Sequence, residues 1–383
     1  MNVVDRKITN QPVRLLMTFD ALGGVYGYSL TLAKRLSGEG AEVLLASMGA
    51  LSAAQRGELS RLPRVSVVES AFALEWMDDP WRDVDRAGEW LLRLERDFQP
   101  TLVHLNGYSH ASLAFRAPVV VVAHSCVASW WRAVLGETLP ARYDEYRKRV
   151  QAGLHAASAI VAPSAAMLRA LAREYSVPFD RASVIHNGTS SARLGPGRKE
   201  PFVLAAGRLW DRAKNLTEIA ARADELRWPL VLAGEVASPD GVTLSFPSNV
   251  QVRGVVTRPA MADLMARASI FVHPALYEPF GLAPLEAAVA GCALVVSDIE
   301  SQREIWGDAA TLVAPRDTDA VVEATNRLAS SPELRAQAAH RARERACLYP
   351  ERAFTDAYLE LYRSVIERPR AACASHVSTE LRA

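Results

Sequence analysis

The chain has 383 residues, half of them hydrophobic, with 44 lysines and arginines against 43 aspartates and glutamates. It is too long for one ordinary core and apolar enough to build two, which excludes wholesale disorder. A net charge of +1 gives no ground for nucleic acid as a partner, and no apolar run reaches membrane-spanning length. The polar first twelve residues lack the apolar core of a signal peptide. Cys126, Cys292, Cys347 and Cys373 are scattered without paired spacing. A cytoplasmic protein with reduced thiols is expected, with peripheral contact to a membrane left open.

Short apolar strands alternate with helical patterns, the sign of parallel sheets covered by helices. Strands are predicted at 13–19, 42–46, 65–68, 102–105, 119–123 and 159–161, with helices at 25–37, 81–98, 142–156 and 165–175. The stretch 188–200 is rich in Gly, Ser and charge and has the composition of a linker. The pattern then restarts, with strands at 202–205, 230–233, 250–252, 270–273, 293–297 and 311–313 and helices at 216–226, 259–266 and 284–290. Three last helices, 319–329, 332–347 and 351–366, have no strand after them, and 367–383 reads as a frayed tail. The expected architecture is α/β: two doubly wound, Rossmann-like domains, 1–193 and 194–350, facing each other across a cleft.

Three places combine a strand end with residues able to do chemistry. The first is Phe19-Asp20-Ala21-Leu22-Gly23-Gly24-Val25-Tyr26-Gly27, where glycines open the first helix and let a ligand approach unpaired amides. Its Gly-Gly-x-x-Gly spacing is not GxGxxG. The acid about twenty residues on, Glu42, begins a strand where dinucleotide binding needs it at the end. The second is Gly207-Arg208-Leu209-Trp210-Asp211-Arg212-Ala213-Lys214, a solvent-facing loop that can aim Arg208 and Lys214 at one diphosphate or merely form a solvated basic turn. The third is Tyr277-Glu278-Pro279-Phe280-Gly281-Leu282-Ala283-Pro284-Leu285-Glu286. It follows a buried strand, with two carboxylates bracketing a Phe-Gly turn at a helix start. The amides of Phe280, Gly281 and Leu282 suit phosphate, and Glu278 and Glu286 suit sugar hydroxyls. The plainer reading has Glu286 complementing a helix dipole and Glu278 as a loop charge.

His124 ends a strand and is expected in the cleft, and His186-Asn187 closes the first half. Trp130 and Trp131 could stack on a sugar ring or pack in the core. Asn106, with His104 and His110, lies where an acceptor pocket would form. Asp83 and Asp85 fall within a charged helix and read as solvated rather than as metal ligands. Zinc-protease, P-loop and serine-esterase motifs are missing.

In this order the residues resemble the retaining family-four glycosyltransferases of the GT-B fold. The likeness runs from the Gly23-Gly24 loop to the final helix and is strongest from Gly207 to Asp317. Glu278 and Glu286 look like the family's Glu-x7-Glu signature, which implies a contact to donor-sugar hydroxyls for the first and to the nucleotide ribose for the second. Arg208 and Lys214 match the pair that binds the donor diphosphate, Gly24 the loop that approaches it, and His124 the histidine beside the transferred sugar. Glu235 and Val256 fall where similar enzymes hold the base largely through backbone, and Asn215 stands where they often carry Gly. The final helix, 351–366, is implied to pack back on the first domain.

The resemblance implies a transferase that moves a sugar from a nucleotide diphosphate sugar to a hydroxyl of a carbohydrate or other acceptor. It implies no resident cofactor, no metal and a front-face mechanism. A GT-B sugar epimerase, a phosphorylase and a binding-only module remain open at this point.

Overall fold

The computed structural model describes residues 13–21, 23–190, 194–238 and 241–367. Met1 to Pro12, Leu22, the expected domain boundary at 191–193, and the expected tail beyond Glu367 with Cys373 lie outside the described residues. Seven parallel strands form the first sheet: β1 (Arg14–Phe19), β2 (Glu42–Ser47), β3 (Val65–Glu69), β4 (Leu102–Leu105), β5 (Val119–Val122), β6 (Ala159–Ala162) and β7 (Ala182–Val184). Their order is β3-β2-β1-β4-β5-β6-β7. Six more, β8 (Glu200–Ala206), β9 (Leu230–Ala233), β10 (Gln251–Val252), β11 (Ala268–His273), β12 (Ala293–Ser297) and β13 (Thr311–Val313), pair as β10-β9-β8-β11-β12-β13. Both sheets reverse direction of growth at one point, between β1 and β4 and between β8 and β11. Ligands of open parallel sheets bind at the carboxyl ends of such strands.

Alternation along the strands builds two cores per sheet. In the first half Leu16, Val103, Val121 and Ile160 face one way, under α3 (Trp81–Phe98), α5 (Asp144–Ala156) and α6 (Ala165–Glu174). Leu15, Met17, Val43 and Val120 face the other way, under α1 (Gly24–Gly38). The short helices α2 (Ala53–Leu59) and α4 (Val127–Leu135) complete this half. In the second half, α8 (Arg258–Arg267), α9 (Leu282–Val289), α10 (Glu300–Trp306) and α12 (Pro332–Ala346) cover one face, and α7 (Leu216–Ala221) and α11 (Thr318–Ser330) the other.

The last helix, α13 (Glu351–Glu367), buries Phe354, Tyr358, Tyr362 and Val365 against the first sheet. The chain therefore crosses between the halves twice, and Thr189 bridges Pro350 where the two crossings meet.

Some expected elements differ. The helix expected at 216–226 stops at Ala221 and continues as a 3-10 turn, Ala223–Glu225, where Arg222 pairs with Glu225 and Asp319. The helix expected from 142 opens with a 3-10 turn, Ala141–Tyr143, and α9 starts two residues earlier than Pro284.

The halves touch directly. Ser164 Oγ donates to the Pro279 carbonyl at 2.6 Å, and the Tyr277 hydroxyl meets Ser129 Oγ at 2.8 Å. Glu304 accepts from the amides of Ala165 and Ala166 at 2.8 and 2.7 Å and from His186 Nε2 at 3.1 Å. A carboxylate of the second half thus satisfies the start of a helix of the first.

Candidate active site

The two switch points face each other across the cleft. On the second half, β8 leads into the Arg208 loop and β11 into the Glu278 loop, so the sheet order itself brings Lys214 to Glu278. Lys214 Nζ lies 2.7 Å from Glu278 Oε2, and His273 Nε2 donates to the same oxygen at 3.1 Å. These side chains are largely buried, which corrects the expectation of a solvent-facing loop for Lys214. Arg208 is more open. Its Nη2 is held by Asp211 at 2.7 Å and its guanidinium lies over the Trp210 ring, while its Nε is buried without a partner. A buried donor left unpaired costs about 1–3 kcal/mol, and an anionic ligand would recover that cost.

Burial alone would raise the Glu278 carboxyl. The Lys214 charge and the His273 hydrogen bond outweigh burial and hold the group well below the usual carboxylate range. A depressed carboxyl contributes stability that is fully present above its unfolded value, about 4.3, and is lost as pH falls toward the folded value. The stability gap between wild type and Glu278→Gln should therefore narrow between about pH 6 and about pH 3 in urea unfolding. A gap of constant size would contradict the assignment of this pair. Glu286, half-buried on α9, is shifted upward by burial, with the charge of Arg258 opposing.

Gly281 caps α9 in the left-handed region with φ 98°, and a Cβ there would meet Pro284 Cγ at 2.9 Å, so only glycine fits this turn. Gln302 pins the turn by donating to the Phe280 carbonyl at 2.9 Å, and Trp306 in turn holds Gln302 Oε1 at 3.1 Å. The N-terminus of α9 has no side-chain cap; Pro284 carries no N–H and the Leu285 amide bonds the Gly281 carbonyl, so Leu282 and Ala283 supply the amides of this end. Asn215 adopts φ 55°, which Asn tolerates better than other non-glycine residues, and donates to the Pro315 carbonyl at 3.2 Å.

On the first half, Asn106 follows β4 and organises a polar cluster. Its Nδ2 donates to the Thr18 carbonyl at 2.6 Å, so Oδ1 faces the histidines and accepts from His124 Nε2 at 2.7 Å and His104 Nε2 at 3.1 Å. Tyr362 of α13 closes the chain, its hydroxyl 2.6 Å from His104 Nδ1. Burial pushes His104 down to about 4, and burial with the neighbouring His104 pushes His124 down to about 3. Both imidazoles are neutral at physiological pH, each with its proton on Nε2 as the network requires. His124 keeps Nδ1 as an acceptor.

Trp130 stands at the cleft, with Nε1 3.4 Å from Asp211 Oδ1. Trp131 does not. It packs on Tyr143, with the Arg142 guanidinium over its ring. His110 donates to the Val84 carbonyl at 2.9 Å. Asn187 is buried in the crossing segment. Glu235 meets Trp210 Nε1 at 3.4 Å, and Val256 packs beside the α8–α9 core. Asp83 pairs with Arg86, and Asp85 with Arg149 at 2.5 Å. Sequence reasoning missed Asp211, His273 and Tyr362. Asp211, three residues from both Arg208 and Lys214, carried the clearest signal.

Two family models together match residues 22–345: one described as glycosyltransferase family 4, over residues 22–193, and one as glycosyl transferases group 1, over residues 188–345. The chain belongs to the family-four glycosyltransferases. Among curated relatives of this glycosyltransferase, the alpha-maltose-1-phosphate synthase of Mycolicibacterium smegmatis is 27% identical over 67% of the chain and 75% of the relative. A glycogen synthase of Mycobacterium tuberculosis is 27% identical over 68% of each. Among solved structures, a sucrose-phosphate synthase of Thermosynechococcus elongatus superposes with a TM-score of 0.76 at 18% identity, over 92% of this chain and 99% of the other. The Anabaena protein HepE in complex with UDP-glucose gives 0.72 at 17% identity, over 92% and 99%. These likenesses show the GT-B fold. Among the described residues no helix is long and apolar enough to cross a membrane.

Proposed function

We propose that this glycosyltransferase moves a sugar from a nucleoside diphosphate sugar to a hydroxyl of a carbohydrate acceptor, with retention and without a metal. The observation that carries the reading is the Arg208–Lys214–Glu278 cluster at the switch point of the second sheet, beside the open N-terminus of α9. Two cations and the uncapped N-terminus of α9 form a preorganised field for a departing diphosphate. A divalent ion would supply the same field, and these groups make it unnecessary.

Glu278 serves better as a holder of donor hydroxyls than as a nucleophile. One carboxylate oxygen already accepts from Lys214 and His273, and so depressed a carboxyl is a weak base and a weak nucleophile. Retention then follows from attack on the face that the leaving group departs, with the phosphate taking the acceptor proton. Neutral His124 beside the sugar offers an acceptor nitrogen and adds no charge to that ion pair. Trp130 and Asn106 border the acceptor side. The relatives named as a glycogen synthase and a maltose-1-phosphate synthase make sugars and sugar phosphates the first acceptors to try.

The test is a matrix of UDP-, ADP- and GDP-sugars against glucans, sugar phosphates and lipid-linked sugars, with release of nucleoside diphosphate and the anomeric configuration of the product read together. Transfer should persist in excess EDTA, and added magnesium or manganese should change it little. Loss in chelator restored by one metal would overturn metal independence. An inverted product would overturn the front-face reading, and donor epimerised without acceptor would make the protein an epimerase.

A further inference from the structure

The third glycine of Gly23-Gly24-x-x-Gly27 has no part in the site as described so far. A Cβ at Gly23 would lie 3.8 Å from Arg208 Nη1, one at Gly24 would lie 3.9 Å from Leu282 Cδ1, and one at Gly27 would lie 3.8 Å from Arg258 Nη1. One bare face of the first two turns of α1 thus abuts three parts of the opposite half: the Arg208 loop, the start of α9 and the start of α8.

Arg258 differs from the other two cations of the cleft. Arg208 is paired with Asp211 and Lys214 with Glu278, while no carboxylate among the described residues forms an ion pair with Arg258, which is exposed at the first position of α8. Its charge nonetheless reaches both walls. It opposes the upward shift that burial imposes on Glu286 of α9, and it does the same for Tyr26 of α1. Its guanidinium thus lies within electrostatic range of both Glu286 and Tyr26, on the face of α1 that carries Gly27. A planar fork of donors with no partner is suited to phosphate oxygens.

We propose that Arg258, which faces Gly27 of α1 across the cleft, is a third cationic contact to the donor nucleotide, binding the phosphate next to the ribose. This rests on the donor reading above, which places the ribose at Glu286. In the bound complex Arg258 therefore ties α8 of one half to α1 of the other through the ligand, so nucleotide binding and cleft closure use the same residue. A residue that only neutralised Glu286 would act on the ribose and would affect nucleoside and nucleotide alike.

The experiment is calorimetric titration of the full chain with a nucleoside, its 5′-monophosphate and its 5′-diphosphate, in the uridine, adenosine and guanosine series. Arg258→Ala should weaken the monophosphate and the diphosphate about tenfold each, as loss of one charge-assisted contact implies, and should leave the nucleoside unchanged. Arg258→Lys should restore only part of the loss, because a point charge lacks the fork. Ligand-free melting temperature should stay at the wild-type value, since the side chain has no ion pair to lose. Arg208→Ala serves as the comparison. If it weakens the diphosphate while Arg258→Ala does not, the Arg258 assignment falls and the donor reading stands. Equal weakening of nucleoside and nucleotides in Arg258→Ala would also overturn the assignment. A wild-type protein that binds no nucleotide of any series would remove the donor reading and this inference with it.

Discussion

Arg208→Ala and Lys214→Ala should each lower kcat by about 10²–10³, the usual cost of removing one preorganised donor to developing charge. The two variants should differ in stability. Arg208 is partly exposed, and its partner Asp211 still accepts from the Ala213 amide at 2.9 Å and from Trp130, so its loss leaves little unpaired. Lys214 is 18% exposed against a Glu278 that is 14% exposed, and Lys214→Ala leaves that carboxylate with His273 alone. Removing one partner of a buried pair costs about 3 kcal/mol, at the low end of the range because some solvent reaches this one. Lys214→Ala should therefore melt well below Arg208→Ala, and rates should be compared per folded molecule. Near-normal kcat in a folded Arg208→Ala/Lys214→Ala protein would remove the diphosphate assignment.

The same loop shows what could and could not be read from the chain. The strands at 102–105, 230–233, 293–297 and 311–313 were expected where they occur, because short apolar runs between helical patterns have few other readings. β7 was not expected. Ala182–Val184 is a half-buried edge strand, too short and mixed to stand out. α4 and α10, nine and seven residues long, carry too few turns for a clear helical period.

In the site, the positions of Arg208, Lys214, Glu278 and Glu286 follow from their strands. The contacts that fix them do not. Trp130 reaches Asp211 across 81 positions, Glu304 reaches Ala165 across 139, and Tyr362 reaches His104 across 258. Each depends on how the halves and the returning α13 dock, and no local pattern encodes that. Trp131 illustrates the other side of the limit. Two adjacent tryptophans in a helix project about 100° apart, so only one of them can face the cleft.

Glu278→Gln and Glu286→Gln should fail in opposite ways. In the structure the Lys214 ammonium is committed to Glu278, and a neutral amide releases it. Nucleoside diphosphate affinity in Glu278→Gln should therefore stay at the wild-type level or tighten, because a freed ammonium faces the phosphates. Sugar transfer should still fall by about 10²–10³, because on the proposed reading this carboxylate positions the donor hydroxyls against the acceptor. Glu286 has no such tie to Lys214. Burial raises its carboxyl, and on the present reading its partners are ribose hydroxyls. Glu286→Gln replaces a charge-assisted acceptor with a neutral one, so nucleotide and nucleotide sugar should both bind about tenfold more weakly. Transfer at saturating donor should change less in Glu286→Gln than in Glu278→Gln. Calorimetric titration of each variant with free nucleotide and with the nucleotide sugar, beside kcat at saturation, separates the two. If Glu286→Gln instead keeps its nucleotide affinity and loses kcat, while Glu278→Gln loses affinity, then the carboxylate paired with Lys214 holds the ribose and the roles assigned along this signature are reversed.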